Sequence, residues 1–173
     1  MAPRIGQPEL FKSTTGLKFK RGGGGVGGAK IEHRIGIQAS ADIIWDIIAD
    51  LPAWAEWNPL YPRAEGQIHI GEQLKLTLAL PGEKPETITP TILDWTPRSL
   101  LHWQLKLAAG LVSTIRYIEI DELGPDSCIF SNGEIFQGLL GPRVARQVGR
   151  KVHRGFQAMG EAIKLRAEAR ARS

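Results

Sequence analysis

Between Gly141 and Glu168 an apolar residue recurs at every third or fourth position: Val144, Val148, Val152, Phe156, Met159 and Ile163. That spacing follows the turn of an α-helix, so these side chains form one stripe along a long C-terminal helix. Gly141-Pro142 opens it, and proline is tolerated in a first helical turn because its missing N–H would have no partner there. Arg143, Arg146, Arg150, Lys151 and Arg154 fall off the stripe. A stripe of this length needs an apolar partner of similar extent. Nearly everything upstream reads as short strands, so the expected partner is a curved sheet, with a cavity between sheet and helix.

The upstream elements follow from periodicity. Lys30 to Gln38 alternates Ile31, His33, Ile35 and Ile37 with polar residues and reads as a first strand. Ser40 or Ala41-Asp42 then caps a helix rich in isoleucine, and a second short helix runs through Trp54 to Trp57 before Asn58-Pro59. Leu60 to Gln67 reads as a short strand, and Leu74, Leu76, Leu78 and Leu80 alternate along the next. Thr87 to Trp95 reads as one strand whose Pro90 implies an edge or a bulge. Leu101, Trp103 and Leu105 share a face, as do Thr114, Arg116, Ile118 and Ile120, and then Phe130, Asn132, Glu134 and Phe136. Alternation of this kind marks antiparallel strands with one buried face.

The net charge of +4 conceals an asymmetry. Residues 1–30 carry six basic side chains against one acidic, residues 31–140 seven against fifteen, and residues 141–173 nine against two. Residues 1–28, with the run Gly22 to Gly28, are expected to form a basic, flexible tail, and residues 29–173 one domain. The glycines lack the Gly-Lys-Ser/Thr ending of a phosphate-binding loop. One cysteine, Cys128, excludes an internal disulfide. The four histidines are scattered, so neither a metal nor any other cofactor is expected. With no long apolar run and no apolar leader, a cytoplasmic location is expected.

The wording of four stretches resembles the START-related, birch-pollen-allergen-like (SRPBCC) superfamily, in its polyketide cyclase/dehydrase branch. They are Ile37 to Asp50 with Ile44-Trp45-Asp46-Ile47-Ile48, Glu56-Trp57-Asn58-Pro59-Leu60, Gly82 through Pro90 to Trp103, and Phe136 to Gly141 with Gly155-Phe156-Gln157-Ala158-Met159. The resemblance implies an α+β helix-grip fold: about seven antiparallel strands curved around the C-terminal helix, and two short helices after strand one. It implies a hydrophobic cavity, which in such proteins typically spans about 300–1,000 Å3.

The candidate ligand-contacting residues face that cavity. They are Trp54, Trp57, Leu76, Leu78, Trp103, Arg116, Ile118, Asn132, Glu134, Phe136, Val152, Phe156 and Met159. Core packing accounts for the tryptophans as readily as ligand contact does. Arg116 is expected near Asn132 or Glu134 across adjacent strands. An inward Arg116–Glu134 pair serves either a carboxylate or carbonyl ligand or as a structural ion pair, and the structural pair is weighted the heavier. A neighbouring arginine is expected to lower the Glu134 pKa, which argues against simple base catalysis. No catalytic residue is assigned.

Three functions are compatible with these features. The first is a carrier or sensor for a hydrophobic small molecule: lipid-like, polyketide-like or aromatic. The second is a cofactor-independent cyclase or dehydratase that works largely by holding a flexible chain in a reactive shape. The third is an adaptor whose basic tail and helix make weak contact with a membrane surface or RNA, with no specific nucleic acid expected.

Overall fold

The structure, a computed structural model, describes residues 28–173. The expectation of a flexible tail falls outside this range, save for Gly28. The apolar stripe forms as expected: Gly141–Ala171 is one helix, α3, with Pro142 in its first turn. Val152, Phe156, Met159, Ile163 and Ala167 are buried, whereas Val144 and Val148 are half-buried. Small residues let the helix sit close to the sheet. A Cβ added at Gly160 would lie 2.7 Å from Nδ1 of His33 on the first strand.

The partner is a five-stranded antiparallel sheet in the order β1-β8-β7-β6-β5. Its members are β1 (Ala29–Ile37), β5 (Thr91–Thr96), β6 (Leu100–Leu107), β7 (Val112–Gly124) and β8 (Ser127–Gln137). Helix α3 packs chiefly on β1 and β8. Two short helices follow β1. In α1 (Ala41–Ala49) Ser40 is the cap, its Oγ accepting from the Ile43 N–H at 3.3 Å. In α2 (Trp54–Trp57) the Trp54 indole N–H donates to the Ile48 carbonyl at 3.0 Å and fixes the second helix to the first.

The middle of the chain departs from its expected strand pattern. It holds a second sheet, β2-β3-β4, built from Arg63–Glu65, Lys75–Leu78 and Glu86–Ile88. The described residues therefore form eight strands in two sheets, where about seven were expected in one. The run expected as a single strand over Thr87 to Trp95 splits at Pro90, and β4 and β5 join different sheets. Proline offers no N–H to a ladder, so pairing is interrupted there. With the long helix laid on an antiparallel sheet and two short helices after β1, the architecture is the helix-grip fold. No helix among the described residues is long and apolar enough to cross a membrane.

Candidate functional site

Strands β7 and β8 pair with Arg116 opposite Glu134, Ile118 opposite Asn132 and Thr114 opposite Phe136. Alternation turns all six toward α3, as their sequence pattern implies. Arg116 is 2% exposed. Its Nη1 donates to the carbonyls of Tyr117 and Gly133, the latter at 3.0 Å. Its Nη2 donates to Asn132 Oδ1 at 2.9 Å and lies 3.6 Å from Met159 Sδ. Asn132 in turn donates through Nδ2 to the Phe156 carbonyl at 3.2 Å, which ties β8 to α3. Three rings surround the guanidinium, with centroids 4.1 Å (Phe156), 5.5 Å (Trp103) and 6.0 Å (Tyr61) from Cζ.

The expected ion pair between Arg116 and Glu134 is not formed. Among the described residues no carboxylate oxygen lies within 4.0 Å of the Arg116 guanidinium. Its Nε is buried and has no hydrogen-bond partner. Arginine stays charged in proteins, so the site holds a buried cation solvated by dipoles and ring faces, with no carboxylate in contact among the described residues.

Glu134 stands across the ladder, half-buried. Burial pushes its carboxyl above the ordinary carboxylate range, against the lowering effects of the Thr114 hydroxyl and Arg116. The expectation that arginine lowers this pKa therefore holds for the sign of that one interaction but not for the net shift. Desolvation wins because the guanidinium is directed at carbonyls and not at the carboxylate. Tyr61, 3% exposed, completes the polar group. Burial raises its phenol pKa, with Arg116 opposing and Glu134 reinforcing.

Tyr61 is absent from the sequence-derived candidates: the stretch Leu60 to Gln67 reads as a strand but shows no alternation to mark an inward face, and in the structure Tyr61 precedes β2. Its position comes from a turn: Asn58 Oδ1 accepts from the backbone N–H groups of both Leu60 and Tyr61, each at 3.1 Å. The Asn58-Pro59 step was the available signal.

The other candidates divide. Trp103, Phe156, Asn132 and Met159 touch the Arg116 group directly. Trp54 reaches it through Tyr61, with centroids 5.8 Å apart, and half-buried Trp57 packs edge-on to Trp54. Ile118, Phe136 and Val152 are buried in the same core. Leu76 and Leu78 lie on β3 of the smaller sheet, the first fully buried and the second half-buried. Beyond β3, the turn before β4 is held to α3 by Lys151, which donates to Glu83. Leu80 Cδ2 lies 3.5 Å from a Cβ position at Gly155.

A separate open groove of about 350 Å3 lies at the C-terminal end of α1. Its walls include Leu51, Ile68 and the stacked pair Trp45 and Trp95, whose centroids are 6.2 Å apart. It shares no residue with the Arg116 group. Among the described residues no cluster of three His, Cys, Asp or Glu is placed to hold a metal ion.

The family model described as polyketide cyclase / dehydrase and lipid transport matches residues 28–168, which covers both sheets and nearly all of α3. The chain belongs to this family. Solved structures with a similar fold include the Zhui aromatase/cyclase from a Streptomyces species, at 21% identity and a TM-score of 0.67 over 84% of this chain and 96% of that one. A START superfamily protein from Mycobacterium smegmatis gives 20% identity and a TM-score of 0.61 over 81% and 97% of the two chains. Norcoclaurine synthase from Thalictrum flavum gives 22% and 0.61 over 82% and 95%. At these identities the likeness establishes the fold alone. Among curated proteins none matches the chain by sequence. Family and fold together support either binding of a hydrophobic ligand or polyketide cyclase-type chemistry.

Proposed function

We propose that the grip holds a hydrophobic small molecule, as carrier or sensor, with a carboxylate or carbonyl oxygen at Arg116. The observation that carries this reading is the buried guanidinium with an unpartnered Nε and no carboxylate in contact. A planar fork already held by Asn132 and two carbonyls is pre-organised to receive an oxygen, so little entropy is lost on binding. The apolar body of the ligand would lie along Trp103, Ile118, Phe136 and Val152. Half-buried Leu78, Leu80, Val144 and Val148 would line the way in, between the β3–β4 turn and the first half of α3.

The test is native mass spectrometry of gently purified protein, followed by extraction and identification of whatever is bound. The reading expects an apolar passenger bearing an oxygen, present in wild type and lost in Arg116→Met. Equal loading of the two proteins would contradict it.

Glu134 favours a second reading, a cyclase or dehydratase without cofactor. A carboxyl with a raised pKa beside a guanidinium can donate a proton to a carbonyl that the arginine polarises. This reading expects a poly-β-keto mimic to be consumed faster by wild type than by an Arg116→Met/Glu134→Gln double variant. Equal rates would reject it.

A further inference from the structure

We infer that one end and one side of the molecule dock on an anionic lipid bilayer. Four leucines are exposed at that end: Leu107 (43%), Leu111 (46%), Leu139 (83%) and Leu140 (36%). They flank two connections, the tight turn Ala108–Gly110 between β6 and β7 and the link from β8 to α3. The connections are tied together, since the Leu140 N–H donates to the Leu111 carbonyl at 3.1 Å. The four side chains therefore share one end of the fold. Leucines left in water without a partner mark a surface that is covered in use.

The second observation is the charge beside them. Arg143, Arg146, Arg150 and Arg154 follow Leu140 at spacings of three and four, are all exposed, and form a stripe on the side of α3 opposite Val152, Phe156 and Met159. From Gly141 to Gly160 the helix carries no Asp or Glu. Among the described residues none of these four arginines has a carboxylate within 4.0 Å, whereas Lys151, Lys164 and Arg166 of the same helix are each paired. Folding does not call for cations here. Arg143 lies in the first turn of α3, where the positive end of the helix dipole disfavours a cation. By sequence, residues 1–27 add five basic side chains against one acidic and join the fold at Gly28, beside Phe136 of the same end.

Apolar side chains at the tip and unpaired arginines along the flank are what an interface of acyl chains and anionic headgroups accepts. A nucleic acid or an acidic protein would use the arginines but leave the leucines in water. The inference does not depend on what the grip holds.

The experiment is co-sedimentation of the full chain with phosphatidylcholine vesicles, with and without phosphatidylserine, at low and high salt. Binding is expected only with phosphatidylserine, weakening with salt and by about fivefold for each of Arg146→Gln and Arg150→Gln. Leu139→Ser should also weaken it, with the salt dependence unchanged. All these side chains are exposed, and circular dichroism verifies that each variant is folded. The inference is overturned by failure to bind anionic vesicles, by equal binding to neutral ones, or by arginine variants that bind like wild type. It is also overturned if Leu139→Ser binds normally while a single-stranded RNA competes fully, since the surface then takes any polyanion.

Discussion

The guanidinium carbon of Arg116 lies 4.1 Å from the centroid of the Phe156 ring, so a cation on β7 is stacked on an aromatic face of α3 inside the grip. A desolvated cation–π contact of this kind contributes about 2 kcal/mol. Removing a charge from water costs several kcal/mol, a cost that the ring faces, two backbone carbonyls and Asn132 oppose. The buried Nε of Arg116, which has no hydrogen-bond partner, is where the proposed ligand oxygen would bind.

Asn132 joins this cation to the helix, accepting from Arg116 Nη2 and donating to the Phe156 carbonyl. A hydrogen bond to a charged group contributes roughly 1.5–3 kcal/mol, so Asn132→Ala should lower stability by about 2 kcal/mol in urea unfolding. Stability equal to wild type would mean the guanidinium does not depend on this amide.

Glu134 should give the protein a measurable pH signature. Its folded-state pKa lies above the ordinary 4.5. Between those two values the folded chain holds more protons than the unfolded one, so the stability contributed by Glu134 is full below 4.5 and falls as pH rises through the raised value. Glu134→Gln has no charge to lose. Relative to wild type it should be more stable at neutral pH, with the difference closing below pH 4.5. Unfolding of both proteins across a pH series checks this, and a difference independent of pH would contradict it.

On the other side of the sheet, Tyr117 lies across Gly133 and donates to Glu32 Oε2 at 2.5 Å. A Cβ at Gly133 would sit 2.8 Å from the Ile31 carbonyl, as well as against the Tyr117 ring, so both neighbouring strands would have to yield. Overpacking of this order costs about 1–3 kcal/mol, and Gly133→Ala should lower the urea midpoint accordingly. An unchanged midpoint would show that the tyrosine moves aside without cost.

Much of this fold is legible in the residues themselves. The stripe from Val152 to Ile163 and the inward faces of β7 and β8 come from periodicity, which reports which side of an element is buried, and the two short helices come from a capping residue and the prolines that punctuate the chain. Periodicity does not report what a side chain does once inside. Arg116 and Glu134 are correctly placed opposite each other, yet whether they form an ion pair depends on guanidinium direction, set by carbonyls of Tyr117 and Gly133 that no pattern reveals. Tyr61 escaped for a related reason, because a side-chain cap from Asn58 and not a strand repeat turns it inward. Pro90 marks an irregularity in the sequence, but that it separates two sheets depends on long-range pairing.

We propose that Arg116 is buried for a ligand oxygen. The most direct test is a fluorescence titration of wild type and Arg116→Met with cis-parinaric acid, a fluorescent fatty acid, alongside thermal unfolding of both. Loss of a charged hydrogen bond corresponds to about tenfold or more in affinity. The account predicts saturable binding by wild type, binding at least about tenfold weaker in the variant, and a variant that still unfolds cooperatively. Equal affinities, or a variant that cannot fold, would make Arg116 a structural residue and contradict the account.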